Sequence, residues 1–274
     1  ERWAFGVSAL NAGLGPDYPQ SAYARFGGAA RSSLFLAQAG VVTALAYQLT
    51  PVHALGLSLN TSYQTLRLEG IQPFAGFSQA PDKVSEQGKD GRFGVGYTLG
   101  WHARFNPQLS LGAAYRSKTW TGRHKDYEGL LPESGRLELP AYYGVAAAYM
   151  PTPTWTLGLE FQRYEHASEK AIGNPISRLF EGNQLGSKNG PGFGHDDQNV
   201  YKFGAAWQAT PKLKLRAGYI RASQIVQPSE TLFDILGPVT ATTHVTGGFT
   251  YDWTGWELSG YGFHAAKQKV RGEN

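Results

Sequence analysis

Hydrophobic and polar residues alternate one by one along most of the chain. Between Val200 and Ser223, one side of the alternation carries Tyr, Phe, Ala, Trp and Leu, and the other carries Lys, Arg, Gln and Gly. A period of two is typical of β-strands with one apolar and one polar face. Because Thr210-Pro211-Lys212 interrupts the stretch, it predicts two antiparallel strands joined by a tight turn.

The same hairpin recurs along the sequence. In four copies a leucine stands four residues after the turn proline, and in a fifth copy glycine replaces the proline; the turns lie around Pro51, Pro107, Pro153, Pro211 and Gly255. We therefore predict eleven strands, at 1–12, 31–50, 53–70, 91–106, 109–125, 135–150, 155–166, 199–209, 213–226, 243–253 and 256–270. The short turns alternate strictly with long connections, at 13–30, 71–90, 126–134, 167–198 and 227–242. This alternation is typical of an up-and-down antiparallel barrel whose turns face one compartment and whose loops face the other.

The apolar strand faces predict contact with lipid. In a soluble sandwich such faces pack on a second sheet, whereas in a membrane barrel they face lipid and aromatic residues collect at the interfaces. Aromatic residues do lie near the short turns: Tyr47, Trp101, Phe105, Tyr149, Trp155, Trp207, Trp253 and Trp256. The fold class is therefore predicted as all-β, a transmembrane up-and-down antiparallel β-barrel that forms a single domain over residues 1–274.

Composition narrows the function classes. No run of 18 apolar residues is present, so a transmembrane helix is excluded, and the mean hydropathy of −0.35 suits strands in which every second residue is polar. The net charge of +4 is mild and its basic residues do not cluster, so nucleic acid is not an expected partner. The absence of cysteine from the sequence excludes disulfides, thiolate metal sites and cysteine catalysis.

Several segments resemble the FadL/TodX family of outer-membrane transporters for hydrophobic compounds. They are Asp17–Ser21, Gln64–Gly70 (QTLRLEG), Ile71–Phe74, Gly173–Pro175, Leu185–Gly194 and Glu230–Pro238, and the resemblance covers essentially the whole chain. It implies a 14-stranded barrel of the bacterial outer membrane, plugged by a small N-terminal hatch. Fatty acids or aromatic or aliphatic hydrocarbons would diffuse passively from an outer loop groove to a lateral opening in the barrel wall.

The resemblance also predicts what lies outside this sequence. Bacterial single-chain barrels have an even number of strands, and eleven is odd. The family's hatch, first two strands and last strand have no counterpart here, and the chain opens on a strand without a signal peptide. We therefore expect a chain truncated at both ends.

Residues of the lateral opening can be proposed from the same resemblance. The first strand would be the family's third, which kinks inward, and the counterpart of the kink is Leu10-Asn11-Ala12-Gly13-Leu14-Gly15. Glycine and asparagine fit a bulge or bend, and they are equally ordinary at a strand end. The candidates for the lumen and lateral opening are Leu10, Asn11, Gly13, Tyr142, Tyr261 and Phe263. The three aromatic residues fall on the inward face, where they line a passage or simply fill the lumen.

Two long loops carry apolar residues that would not normally be exposed. The candidate residues of a solute-binding loop groove are Ile71, Pro73, Phe74, Phe77, Tyr127, Leu130 and Leu131. The alternative is that these loops fold over the barrel mouth and bury one another's apolar side chains. Both interpretations place them at the entrance.

Enzymatic motifs are missing from the sequence. It has no G-x-S-x-G elbow, H-E-x-x-H helix or phosphate loop, so no catalytic residue, metal or cofactor is predicted. His195-Asp196-Asp197 could hold a cation or act as an acid and base, although a solvated loop edge is the commoner role of such a run. Inward lysines and arginines are expected to pair with Glu138, Glu160 and Asp252.

These observations favour a passive channel over three alternatives. Its expected partners are a hydrophobic small molecule, outer-membrane lipid and lipopolysaccharide, and we expect a monomer. A lipid-hydrolysing barrel, a soluble β-propeller with a repeat of roughly 50 residues, and a structural or adhesive barrel are the alternatives. Two long strands per repeat argue against the propeller.

Overall fold

The computed structural model describes residues 2–28 and 31–273 as one antiparallel sheet with long connections at one end. The strands are β1 Trp3–Leu14, β2 Asp17–Tyr18, β3 Ser32–Gln48, β4 His53–Glu69, β5 Asp90–Arg104, β6 Leu109–Arg116, β7 Trp120–Thr121, β8 Tyr142–Thr152, β9 Trp155–Tyr164, β10 Gln198–Thr210, β11 Leu213–Ala222, β12 Thr243–Trp253 and β13 Trp256–Ala265. Eleven of them pair in chain order, while β2 pairs with β3 and β7 with β5. The predicted number and order of the long strands are therefore confirmed. Residues 1, 29 and 30, on which the predicted strand 1–12 and loop 13–30 partly fall, lie outside the described residues, as does residue 274.

Two predicted strands were too long. The prediction of 109–125 is wrong beyond Arg116 except at β7, and that of 135–150 is wrong before Tyr142, because residues 117–119 and 122–141 leave the wall. Ser117 turns the chain: its hydroxyl accepts a hydrogen bond from the Tyr97 amide at 2.9 Å. Thr119 then forms a bridge with Leu139, and the ammonium of Lys118 reaches buried Glu138 at 2.6 Å. The alternating pattern over 135–141 thus belongs to a segment that folds inward.

The two faces of the sheet have opposite chemistry. Leu57, Tyr97, Leu159 and Tyr219 are exposed on the outer face, Leu159 by 61%. On the inner face, Ser58 and Asn60 are buried beside them and share a hydrogen bond of 3.1 Å. Such a wall, apolar outside and polar inside, is that of a membrane barrel.

Aromatic side chains mark the turn end of the outer face. The rings of Trp155 and Trp207 stack with their centroids 5.6 Å apart, and those of Trp3 and Tyr47 lie 4.5 Å apart. Trp253 and Trp256 pair across the last turn and are largely exposed. This is the placement expected of an interfacial girdle, which anchors a barrel at the headgroup level.

Two of the three predicted carboxylates, Glu138 and Glu160, pair with inward lysines, whereas Asp252 forms no ion pair within the described residues. Lys118 lies between Glu138 and Glu169, and Lys202 lies 3.4 Å from Glu160. Arg216 instead donates to the hydroxyl of Thr250 at 2.7 Å. Such partners replace part of the hydration that a charge loses in a confined lumen.

The hydrophobic core lies in the long connections and not between sheets. We call the connections at residues 16–28, 70–89, 117–141, 165–197 and 223–242 the cap. Their helices are all short: 3-10 helices Ala24–Phe26, Gln72–Phe77, Pro81–Lys83, Lys125–Tyr127, His166–Ser168, Ile176–Leu179 and Pro228–Glu230, and α-helices Pro132–Gly135, Lys170–Gly173 and Thr231–Asp234. Within the described residues, no helix has the length and apolar character needed to cross a membrane. The buried apolar cluster joins the cap to the neighbouring ends of β3 and β4, and we call this end of the sheet the upper end.

Of the two interpretations of the glycine and asparagine in β1, the register excludes the bulge. β1 pairs with β3 without a register shift from Trp3 opposite Tyr47 to Leu14 opposite Leu36. Gly13 lies at the end of this ladder, where a Cβ atom would come 2.9 Å from the Leu36 carbonyl oxygen. The alternative, an ordinary strand end, therefore describes this segment.

Candidate solute cavity

A cavity of about 550 Å³ lies beneath the cap, at the mouth of the lumen. We call it the leucine cavity. Its lining residues are Leu14, Leu34, Leu36, Leu66, Leu68, Leu131, Leu137, Leu139, Pro140, His166, Ile172, Phe193, His195, Gln198, Ile225, Gly237, Pro238, Val239, Ala241 and His244. Because residues of β1 and β12 face the same space, the sheet must curl. The volume and the apolar lining are those of a small-molecule site.

Strand register explains one wall of the leucine cavity. Leu34 pairs with Leu68 and Leu36 with Leu66, and the other neighbour of Leu36 is Leu14. Paired residues share a face, so the inward side of β1, β3 and β4 changes from polar to leucine-rich near the cap. The cap closes the space from above with Leu131, Leu137 and Leu139.

The opposite wall carries the polar groups. His166 follows β9, His195 precedes β10, and Gln198 and His244 begin β10 and β12. The ring of His166 stacks on Tyr164 at 5.8 Å and lies 6.3 Å from the ring of His195. These side chains form a polar strip at the cap ends of β9, β10 and β12, with β11 between the last two.

The run at 195–197 does not form a single cluster. Nε2 of His195 hydrogen-bonds Oδ1 of buried Asp234 at 2.7 Å, whereas Asp197 binds Arg163 at 2.9 Å and Asp196 binds Gln227. Burial raises the pKa of Asp234, although the hydrogen bond from His195 opposes the shift. In the described part of the chain, no group of three or more His, Asp or Glu side chains is placed to hold a metal ion. The run therefore tethers the cap through three separate partners.

Comparison with known proteins decides the family. The sequence profile described as outer membrane protein transport protein (OMPP1/FadL/TodX) matches residues 1–263. The chain belongs to the FadL/TodX family. It is thus a transport protein of the bacterial outer membrane, and the predicted family resemblance is confirmed. A comparison with curated protein sequences found no match.

Solved structures with the same fold support the barrel. The toluene transporter TodX of P. putida is 21% identical, with a TM-score of 0.63 over 93% of this chain and 70% of that chain. The Ralstonia pickettii toluene transporter TbuX is 19% identical, with a TM-score of 0.62 over 93% and 70%. A Pseudomonas aeruginosa FadL homologue is 15% identical, with a TM-score of 0.68 over 96% and 66%. At these identities the likeness establishes the fold.

The predicted loop residues of this FadL/TodX protein lie in the cap, and most of them are buried. Ile71, Phe74, Tyr127 and Leu131 belong to the buried cluster, while Phe77 is 56% exposed. Pro73 is partly buried in the helix Gln72–Phe77, and Leu130 packs on the cluster. The structure therefore agrees mainly with the alternative prediction, in which the two loops bury each other's apolar side chains. Leu131 also lines the leucine cavity.

A second, small cavity lies between these loop residues and the leucine cavity. It measures about 30 Å³ and is lined by Ile71, Leu130 and Leu131 among others. It shares Leu68, Leu131 and Phe193 with the leucine cavity. The loops thus contribute to the space above the solute cavity.

The predicted lumen residues lie apart from the leucine cavity. Tyr142 faces inward next to Tyr164, with ring centroids 4.8 Å apart, and lines a lower space of about 510 Å³ with Glu160 and Gln162. On β13, Tyr261 and Phe263 pair with inward Gly248 and Thr246, which confirms their inward face.

The β1 candidates divide between the two faces of the sheet. Leu10 pairs with Gly40 on the inner face. Asn11 and Gly13 alternate with it and so lie on the outer face with Val7. Of the inward β1 side chains, Leu14 lines the leucine cavity.

The leucine wall, His166 and His244 were missed as site residues, and His195 was named only for a cation or acid–base role. A signal for the leucines exists, because Leu34, Leu36, Leu66 and Leu68 occupy even, inward positions where the rest of β3 and β4, apart from Val42, is polar or small. For His166 and His244 no local signal exists, since they come from two distant segments.

Proposed function

We propose that this protein is a passive channel for small hydrophobic molecules, either fatty acids or aromatic or aliphatic hydrocarbons. The observation that carries the proposal is the leucine cavity of about 550 Å³ at the barrel mouth. A cavity of about 150 Å³ lined by apolar side chains already admits benzene. The toluene transporters TodX and TbuX, which have the same fold, add support.

The proposed way in passes through the cap. Phe26 and Phe77 are more than half exposed on it, and the ring of Phe26 lies 5.5 Å from that of buried Phe74. Exposed aromatic side chains can hold an apolar solute transiently, because each Å² of apolar surface removed from water contributes roughly 25 cal/mol. The small cavity lined by Ile71 and Leu130 measures only about 30 Å³, so these side chains would have to move apart for the solute to reach the leucine cavity.

The proposed way out is lateral, along β1. Leu14 lines the leucine cavity, and Leu10 lies on the same inner face of that strand, four residues nearer the turn end. An apolar solute released beside this face would enter the bilayer without dissolving in water. The exposed apolar outer wall is consistent with lipid around the exit.

An uptake panel tests the channel. Cells that lack this protein and cells that produce it are compared for initial uptake of a fatty acid, an alkane and a monoaromatic hydrocarbon at limiting concentration. We expect faster uptake of at least one apolar solute in producing cells, and unchanged uptake of a small sugar as the matched polar control. Equal uptake of every solute would contradict the proposed function and leave the barrel fold intact.

A further inference from the structure

The two walls of the leucine cavity differ in what they can bind. The residues that β1, β3 and β4 contribute are all leucines, whereas the opposite wall presents His166, His195, Gln198 and His244. A pure hydrocarbon has no group that can hydrogen-bond to these polar side chains. Apolar contact with the solute therefore does not explain why they line the cavity.

Two imidazole rings of this strip carry a nitrogen without a hydrogen-bond partner. Among the described residues, Nδ1 of His166 and Nδ1 of His244 are unpaired, and both atoms are buried just behind the cavity surface. Leaving a buried donor or acceptor unpaired is costly, and most such groups in proteins are satisfied. Because both rings line the cavity, a rotation of either ring would bring its unpaired nitrogen to a solute that supplies a hydrogen-bonding group.

The electrostatics favour a neutral polar group over an anion. Burial, aided by the charge of nearby His195, lowers the pKa of His166 to about 4, so that its imidazole is neutral at pH 7. A neutral imidazole offers one donor and one acceptor, which suits a hydroxyl group that both donates and accepts. Of the described residues that line the cavity, none is a lysine or arginine. A carboxylate would also approach the acidic Asp234, which is bound to His195.

We infer that the leucine cavity prefers hydrophobic molecules that carry one hydroxyl group, such as alkylphenols, and orients that hydroxyl toward the histidine wall. The alkyl part lies against Leu36 and Leu66, and the hydroxyl meets either His166 or His244. The inference rests on the proposed function and names its solute class. A volume of about 550 Å³ leaves room for a substituted ring.

Three related compounds test this inference by their affinity for the protein in lipid nanodiscs. They are 4-ethylphenol, ethylbenzene and 4-ethylbenzoate, and partition into empty nanodiscs is subtracted. We expect 4-ethylphenol to bind about tenfold more tightly than ethylbenzene, the effect of roughly one net hydrogen bond. We also expect 4-ethylbenzoate to bind more weakly than the phenol.

Substitutions locate the effect on the histidine wall. In His166→Phe/His244→Leu we expect the phenol-to-hydrocarbon affinity ratio to fall from about tenfold to about one. His102→Leu is the matched control, because His102 lines the lower space instead, and the ratio should not change. If the double variant does not fold, His244→Leu alone should lower the same ratio.

The outcomes separate the two proposals. Equal affinity for 4-ethylphenol and ethylbenzene in the unsubstituted protein would overturn the hydroxyl preference and leave the channel in place. Tightest binding of 4-ethylbenzoate would overturn it as well, in favour of an anion. If none of the three compounds binds and uptake is equal with and without the protein, the channel itself is contradicted.

Discussion

Phe203→Lys is expected to lower the free energy of unfolding from a lipid bilayer by about 2–4 kcal/mol, the cost of a lysine at the midplane of a barrel wall. Phe203 lies near the middle of β10 on the outer face and is 45% exposed. An ammonium group placed there meets acyl chains and no counter-ion. The preceding residue, Lys202, is tolerated because it points inward and lies 3.4 Å from Glu160.

Gly204→Lys is the matched control, since it adds the same side chain one residue later on the inner face. A Cβ atom at Gly204 meets no other atom within 4 Å, so the lysine has space in the lumen. We expect the free energy of unfolding to change by no more than about 0.5 kcal/mol, as for an ordinary solvated position. Both variants are measured by denaturant unfolding from liposomes. Equal costs, or a larger cost for Gly204→Lys, would reverse the assignment of the two faces.

Leu36→Trp is expected to lower the uptake of apolar solutes at least tenfold. Leu36 points into the leucine cavity from β3 between Leu66 and Leu14. The indole would project into the cavity and narrow the route past Leu66, so a solute has to displace it at a cost of about 1.4 kcal/mol or more. Since each 1.4 kcal/mol corresponds to a factor of ten, solute binding and passage should fall accordingly.

Leu45→Trp provides the matched control on the same strand. Leu45 lies on the outer face and is 45% exposed, so a tryptophan there contacts lipid and leaves the cavity unchanged. Initial uptake of a labelled monoaromatic hydrocarbon is compared at equal protein levels in the outer membrane. Loss of uptake in Leu45→Trp, or full uptake in Leu36→Trp, would contradict the role of the cavity.

The barrel wall was predictable because its chemistry is local. Each long strand repeats every two residues, and each short turn carries its own proline or glycine, so the number, order and faces of the strands follow from neighbouring residues. The stretch at 135–141 shows the limit of this argument. Its alternation is that of a strand, yet Leu137 and Leu139 turn into the cavity while Glu138 binds Lys118. The apolar residues of an alternating segment can face either lipid or the cavity, and the sequence pattern is identical in both cases.

The candidate site was less predictable because it is assembled from distant segments. The partner of His195 is Asp234, 39 residues later, and not the adjacent aspartates. The leucine cavity joins residues from Leu14 to His244, which only the curl of the sheet brings together. The predicted loop residues lie in the cap, but their burial depends on how five connections pack on one another.

The central claim is that the leucine cavity is where an apolar solute binds, and a crystal structure after soaking with bromobenzene tests it most directly. We expect anomalous scattering from bromine between Leu36, Leu66 and Phe193, and its absence from crystals of Leu36→Trp. Bromine found on the outer wall while the cavity excludes it would contradict the claim.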